Sequence, residues 1–270
     1  MNKKISSKKE KITYIFDLDG VVYRGKTPQP YAVESINKLF QLGHNIYYFT
    51  NNASLTRKAY VEKLEKLGIS TSDNQVMTSS YATALYMKDK YEMKGKKVLV
   101  IGHEGIFDEM QKIEAVPYCS EELELCDFVV CGIDRNITYK KIWSAMYTIK
   151  NGAIFIATNG DKTYPLEDDI LAPGGGVMVA AITECSGVIP YLCGKPNTYA
   201  LEKIMKIANS TKENTVMIGD RLDTDIEIAN NAGIVSVLVL GGITSFEIGS
   251  NSKGNQKPDF IIKDLRELLP

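Results

Sequence analysis

The run Ile15-Phe16-Asp17-Leu18-Asp19-Gly20-Val21-Val22 places two carboxylates two residues apart, directly behind an apolar stretch that begins at Ile12. An unbroken apolar stretch of this length suits a strand buried on both faces of a parallel sheet. The glycine behind the second aspartate permits a sharp turn at positive φ. Taken alone, the motif is equally a strand-end turn built from Asp and Gly.

Working outward, similar runs recur along the chain. Strands are expected at Ile12–Phe16, Asn45–Thr50, Lys97–Ile101, Phe128–Gly132, Ala153–Ala157, Thr215–Ile218, Val235–Leu240 and Phe260–Ile262. Helical spacing separates them. Ala32–Leu42 carries Val33, Ile36, Leu39 and Phe40 on one side, and Thr56–Leu67, Tyr139–Asn151, Tyr199–Asn209 and Thr224–Asn231 read the same way. Strand and helix in alternation predict an α/β fold with right-handed crossovers. In such sheets ligands bind beyond the carboxyl ends of the strands. The Gly/Ser/Asn-rich stretch Gly249–Gln256 is expected to be an exposed loop.

Bulk composition narrows the classes. The 270 residues are 44% hydrophobic and 24% charged, which suits a folded domain with a sizeable core. Lys and Arg number 32 against 33 Asp and Glu, a net charge of -1, so electrostatics gives no case for nucleic acid or a membrane surface as partner. No stretch approaches the roughly 18 apolar residues that span a bilayer. The lysine-rich Met1–Lys11 lacks the apolar region of a secretory signal and reads as a solvated tail. The five cysteines form no Cys-x-x-Cys pair, and are expected to be reduced and mostly buried in a cytoplasmic protein. The two histidines, His44 and His103, lie far apart, which disfavours a zinc cluster or a Cys–His dyad.

Three more segments carry candidate chemistry. Phe49-Thr50-Asn51-Asn52 closes a strand with uncharged groups that can hydrogen-bond phosphoryl oxygens. Gly194-Lys195-Pro196 sets a lysine before a helix, where it could neutralise a phosphoryl oxygen. Met217-Ile218-Gly219-Asp220-Arg221-Leu222-Asp223-Thr224-Asp225 follows another apolar strand with three acids. The first can bind a cation, while Thr224 or Asp225 could instead cap the following helix.

With these four segments in this order, the chain resembles the phosphatases of the haloacid dehalogenase superfamily that carry an α/β cap inserted between the second and third motifs. It is similar to the 4-nitrophenyl phosphatase, phosphoglycolate phosphatase and nucleotide phosphatase group. Ala157-Thr158-Asn159-Gly160-Asp161, Pro173-Gly174-Gly175-Gly176 and Pro258-Asp259-Phe260 extend the likeness over nearly the whole chain. Gly160 departs from it, since the group often carries Pro there.

The resemblance implies a Rossmann-like parallel-sheet core at 1–80 and 188–270, with a cap at 81–187. It implies a Mg²⁺-dependent phosphatase acting on small-molecule phosphate esters. Asp17 would attack phosphorus to form an aspartyl-phosphate, and Asp19 would protonate the leaving oxygen and then deprotonate water. That second role requires Asp19 to titrate above about 3.9. Lys195, Thr50, Asn51 and Asn52 would hold the substrate's phosphoryl group, and Thr158, Asn159 and Asp161 would face the site from the cap. Asp17, Asp220, Asp225 and the backbone carbonyl of Asp19 would serve the metal, Asp225 by holding a bound water or orienting the nearer ligands. Carboxylates gathered this closely would repel one another without a cation. The glycines at 174–176 lack the Lys-Ser/Thr of a phosphate-binding loop and are expected to form a flexible turn into a helix at Val177–Ile182. Caps in similar proteins often dimerise, so a homodimer through the cap is also expected.

The rival in another class is a phosphoacceptor switch or phosphate-binding module without turnover. Asp19 and the inserted cap speak against it, because a switch needs neither an acid/base nor a lid. A dehalogenase needs no acid at position 19 and no cation.

Overall fold

A computed structural model describes residues 11–165 and 170–270. All but the last residue of the expected N-terminal tail lie outside these. Two parallel sheets organise the chain. Their strands, in chain order, are β1 Thr13–Phe16, β2 Asn45–Thr50, β3 Val76–Thr78, β4 Lys97–Ile101, β5 Val116–Tyr118, β6 Phe128–Cys131, β7 Ile154–Ala157, β8 Tyr191–Leu192, β9 Thr215–Gly219, β10 Val235–Val239 and β11 Phe260–Ile262. The first sheet runs β11-β10-β9-β1-β2-β3 and the second β8-β7-β6-β4-β5.

Every residue of β1, β6 and β9 is buried, as expected where helices cover both faces. Alternate residues feed opposite cores. In the first sheet Tyr14, Phe16, Tyr48 and Ile218 join one cluster, while Ile15, Phe49 and Met217 join the other. In the second, Val98, Val100 and Val130 face one way and Leu99, Ile101 and Val129 the other.

The helices are α1 Ala32–Gln41, α2 Arg57–Lys66, α3 Ser79–Lys90, α4 Glu104–Lys112, α5 Tyr139–Lys150, α6 Gly175–Ser186, α7 Tyr199–Ala208, α8 Glu227–Ala232 and α9 Phe246–Asn251. Thr56 and Thr78 cap α2 and α3, each accepting the backbone N–H three residues on.

Several elements escaped the sequence pattern. Helix α3 has no apolar stripe because it serves both sheets: Ala82 packs with the first, Ala84 and Met87 with the second. It begins before the expected cap boundary at 81, and β8 joins the second sheet from beyond the expected boundary at 187. The stretch 249–256 is not a loop throughout. It contains the end of α9 and a 3₁₀ turn at Gly254–Gln256, with Gly249 buried against Leu238. The helix expected from Thr224 is preceded by a π-turn at Leu222–Ile226. The cysteines are free, but only Cys131 and Cys193 are buried, and Cys119 is exposed. Both histidine rings accept a backbone N–H, His44 from Ile12 and His103 from Arg135.

Strand order reverses between β1 and β9, the place where an open α/β sheet leaves a crevice. Phe16 is in register with Ile218, and the Asp17 N–H donates to the Ile218 carbonyl at 2.8 Å. The residues that follow the two strands, Asp17 and Asp220, are thereby side by side. Among the described residues no helix is long and apolar enough to cross a membrane.

Candidate active site

Three acids meet at this crevice. Single carboxylate oxygens of Asp17, Asp220 and Asp225 lie within 4.8 Å of one another. Lys195 reaches them from the turn after β8. Its ammonium donates to Asp17 Oδ1 at 2.5 Å, to Asp225 Oδ1 at 2.6 Å and to the Phe49 carbonyl at 3.1 Å. Those contacts use all three of its N–H donors.

Each partner is held in turn. Asp225 Oδ2 accepts the backbone N–H groups of Asp220 and Arg221, which folds the loop after β9 back on itself. Gly219 makes that fold possible, because a Cβ there would stand 2.1 Å from Asp225 Cβ. Asp220 Oδ2 accepts the Ile243 N–H at 2.8 Å. Gly20 and Gly242 press on the same carboxylate, where a Cβ would come within 2.4 and 2.0 Å of its oxygen. Asp220 Oδ1 is buried and has no hydrogen-bond partner among the described residues.

One lysine against three buried carboxylates leaves excess negative charge, and the titration shifts show it. Burial lifts Asp17 well above the usual carboxylate range; Lys195 opposes this, while Asp225 and Asp220 add to it. Burial, then Asp225, pushes Asp220 up to about 7. Burial alone would lower Lys195, but Asp17 and Asp225 outweigh it and hold it protonated. A hard divalent cation fits what is present: clustered oxygen donors, an orphaned carboxylate oxygen and uncompensated charge. Asp19 contributes no side chain to this group. Burial raises it above its ordinary value, with Lys63 and then Lys195 opposing. That direction matches what an acid at this position requires.

Thr50, which ends β2, and the two residues after it line the pocket and also hold their neighbours. The Asn51 side-chain N–H groups donate to Asp161 Oδ1 at 3.0 Å and to the Lys195 carbonyl at 3.2 Å, while its Oδ1 accepts the Lys195 N–H at 2.8 Å. This amide has no N–H left for a phosphoryl oxygen, contrary to expectation, and it fixes Lys195 instead. Asn52 Oδ1 accepts both the N–H and the hydroxyl of Ser54. Thr50 lines the pocket, and its Oγ1 accepts the Asn52 N–H.

From the second sheet, Asn159 and Asp161 line the same pocket, and Asn159 donates to Asp161 Oδ2 at 3.0 Å. Thr158 does not line it. It is fully buried against Gly132, with its hydroxyl 3.3 Å from Asn159 Oδ1. The glycines at 174–176 are a close-packing surface rather than a flexible turn. Cβ atoms there would stand 2.1 Å from the Asp161 carbonyl, 2.4 Å from Asn159 Oδ1 and 2.4 Å from the Gly160 carbonyl.

Ile133, Tyr164, Arg221 and Ile243 also line the pocket without having been singled out. Arg221 sits inside the motif that holds Asp220 and could have been found there. The other three carry no local signal, since only the packing of the second sheet and of the loop after β10 brings them in.

Residues 14–115 match the family described as haloacid dehalogenase-like hydrolase, and residues 192–268 match one described as HAD-hydrolase-like. The chain is 37% identical over 257 residues to 5'-nucleotidase YutF of Bacillus subtilis, covering 95% of this chain and 97% of that one. It is 34% identical over 275 residues to chloroplastic phosphoglycolate phosphatase 1A of Arabidopsis thaliana, covering 95% and 76%. The crystal structure of a glycerol phosphate phosphatase from Mycobacterium tuberculosis in complex with magnesium superposes with a TM-score of 0.87 at 32% identity, over 96% of this chain and 76% of that one.

Proposed function

The chain belongs to the haloacid dehalogenase-like hydrolases, and on that footing we propose that it hydrolyses small-molecule phosphate monoesters with Mg²⁺ as cofactor and Asp17 as nucleophile. The observation that carries this is the buried Asp17–Lys195–Asp225 contact beside the unpartnered Asp220 Oδ1. When bound, Mg²⁺ would be held by Asp17, Asp220, the Asp19 carbonyl and, through water, Asp225, and would supply positive charge against the phosphoryl oxygens.

Asp17 Oδ1 carries the lysine bond, which leaves Oδ2 to attack phosphorus. The ester P–O bond breaks, Asp19 gives its proton to the departing oxygen, and phosphate stays on Asp17 as an aspartyl-phosphate. Asp19 then takes a proton from water as the water attacks phosphorus, and the bond to Asp17 breaks to release phosphate. Lys195 keeps one positive charge at the reacting carboxylate, Thr50 offers its hydroxyl, and Asn51 acts by fixing Lys195.

The segment 81–187 works as a cap, with Asn159 and Asp161 excluding water from above. Asp19 and this roof favour turnover over a phosphoacceptor switch. The free cysteines support a cytoplasmic site of action. Exposed Tyr139 and Trp143 on α5 support a homodimer through the cap.

The test is phosphate release from 4-nitrophenyl phosphate with and without Mg²⁺. Wild type should turn over only with the cation, and Asp17→Asn should not turn over at all while keeping its fold. A folded wild type with no turnover would favour the switch, and an active Asp17→Asn would remove the nucleophile.

A further inference from the structure

One charged side chain of the pocket has no role in the chemistry above. Arg221 lines the pocket, and its side chain is 19% exposed. Its Nε and one terminal nitrogen donate to the two oxygens of Asp223 at 3.1 and 3.0 Å. Its other terminal nitrogen donates to the Thr163 carbonyl at 3.2 Å. A guanidinium carries five N–H donors. Among the described residues three are therefore used to fix the group in place, which leaves two for a group that enters.

Thr163 belongs to the antiparallel hairpin Thr163–Pro165/Leu171–Pro173, whose Tyr164 also lines the pocket. The loop that carries the cation ligand Asp220 is thus tied to the wall that would meet a leaving group.

Asp161 supplies the complementary group. Each of its oxygens accepts one amide N–H, from Asn51 and from Asn159, at 3.0 Å. A carboxylate oxygen has a second lone pair, so these bonds aim the group without exhausting it. Neither amide carries a charge, so the charge that faces this carboxylate is that of Arg221, on which it acts electrostatically. Around the two polar groups, Ile133, Tyr164 and Ile243 give apolar contact.

A pocket with one fixed donor and one fixed acceptor favours a group that can do both. A hydroxyl can accept from Arg221 and donate to Asp161. A carboxylate on the leaving group satisfies Arg221 but brings a like charge against Asp161, which opposes its binding. We infer that Arg221 is a specificity-determining residue which, together with Asp161, selects an uncharged hydroxylated leaving group over a carboxylated one. This rests on the phosphatase reading and narrows its substrate class.

The experiment measures kcat/KM for glycerol 3-phosphate, 3-phosphoglycerate and 4-nitrophenyl phosphate with Mg²⁺. The first two share a three-carbon skeleton and differ in a terminal hydroxymethyl or carboxylate. Wild type should favour glycerol 3-phosphate by about tenfold or more, the size of one hydrogen bond to a charged group. Asp161→Asn should shrink that preference. Arg221→Met should lower the ratio of glycerol 3-phosphate to 4-nitrophenyl phosphate, whose leaving group lacks both hydroxyl and carboxylate. A wild-type ratio near one or reversed in favour of 3-phosphoglycerate, with 4-nitrophenyl phosphate still hydrolysed, overturns the inference alone. Absence of 4-nitrophenyl phosphate hydrolysis removes the phosphatase reading and the inference with it.

Discussion

The Lys195 ammonium stands 2.5 Å from the Asp17 carboxylate across 178 residues of sequence, with both side chains less than a tenth exposed. Removing one partner of such a pair strands the other charge in a poorly hydrated place. Lys195→Met should therefore destabilise the metal-free protein by about 3–5 kcal/mol and remove turnover. Urea denaturation in chelator measures the first effect. Adding Asp225→Asn should recover part of the loss by thinning the acid cluster. A lysine variant as stable as wild type would mean the pair contributes little.

Asp19 is raised by burial, which suits it to protonate a poor leaving group. Asp19→Asn should lower kcat/KM for an alkyl phosphate by about 10²-fold or more, and for 4-nitrophenyl phosphate by far less, since nitrophenolate leaves without help. Equal losses on both substrates would argue for a role in binding or folding instead.

Asp220 titrates near 7 in the fold against an ordinary 3.8. Between those values the folded metal-free protein keeps a proton that the unfolded chain has lost. Stability from this group is therefore complete below about pH 4 and disappears as pH rises through 7. Thermal midpoints of the metal-free protein should fall across this window. Asp220→Asn should flatten the fall without abolishing it, since Asp17 is raised too. Mg²⁺ should act oppositely, stabilising most where the carboxylates are ionised. An unchanged slope in Asp220→Asn would contradict this assignment.

Gly175 has no room for a side chain, because a Cβ would stand 2.4 Å from Asn159 Oδ1. Asn159 holds Asp161, and Asp161 holds Asn51, which fixes Lys195. Gly175→Ala should destabilise by about 1–3 kcal/mol through overpacking. It should also lower kcat/KM, although residue 175 is remote from the nucleophile in sequence. Wild-type kinetics in this variant would show that the Asn159–Asp161–Asn51 chain does not reach Lys195.

The acids were legible because each closes an apolar strand. Asp17 and Asp19 follow β1, and Asp220 follows β9, so a period-free apolar run marks the position before the structure is seen. Lys195 was legible only by its place in the order of motifs, since the two-residue strand before it has no pattern of its own. Helix α3 hid because two cores share its surface. The Asn51 amide suits phosphate by its chemistry, but the Lys195 backbone and Asp161 engage that amide.

The amino-acid order by itself determined the alternation of strands and helices and the strand ends at which the acids stand, because burial on both faces of a sheet demands continuous apolar runs. The tertiary structure alone decided which groups meet: Lys195 with Asp17, Asn51 with Asp161, Arg221 with Thr163. Those contacts span 178, 110 and 58 residues. They depend on strand order and on the packing of one sheet against the other, which no local pattern of residues encodes.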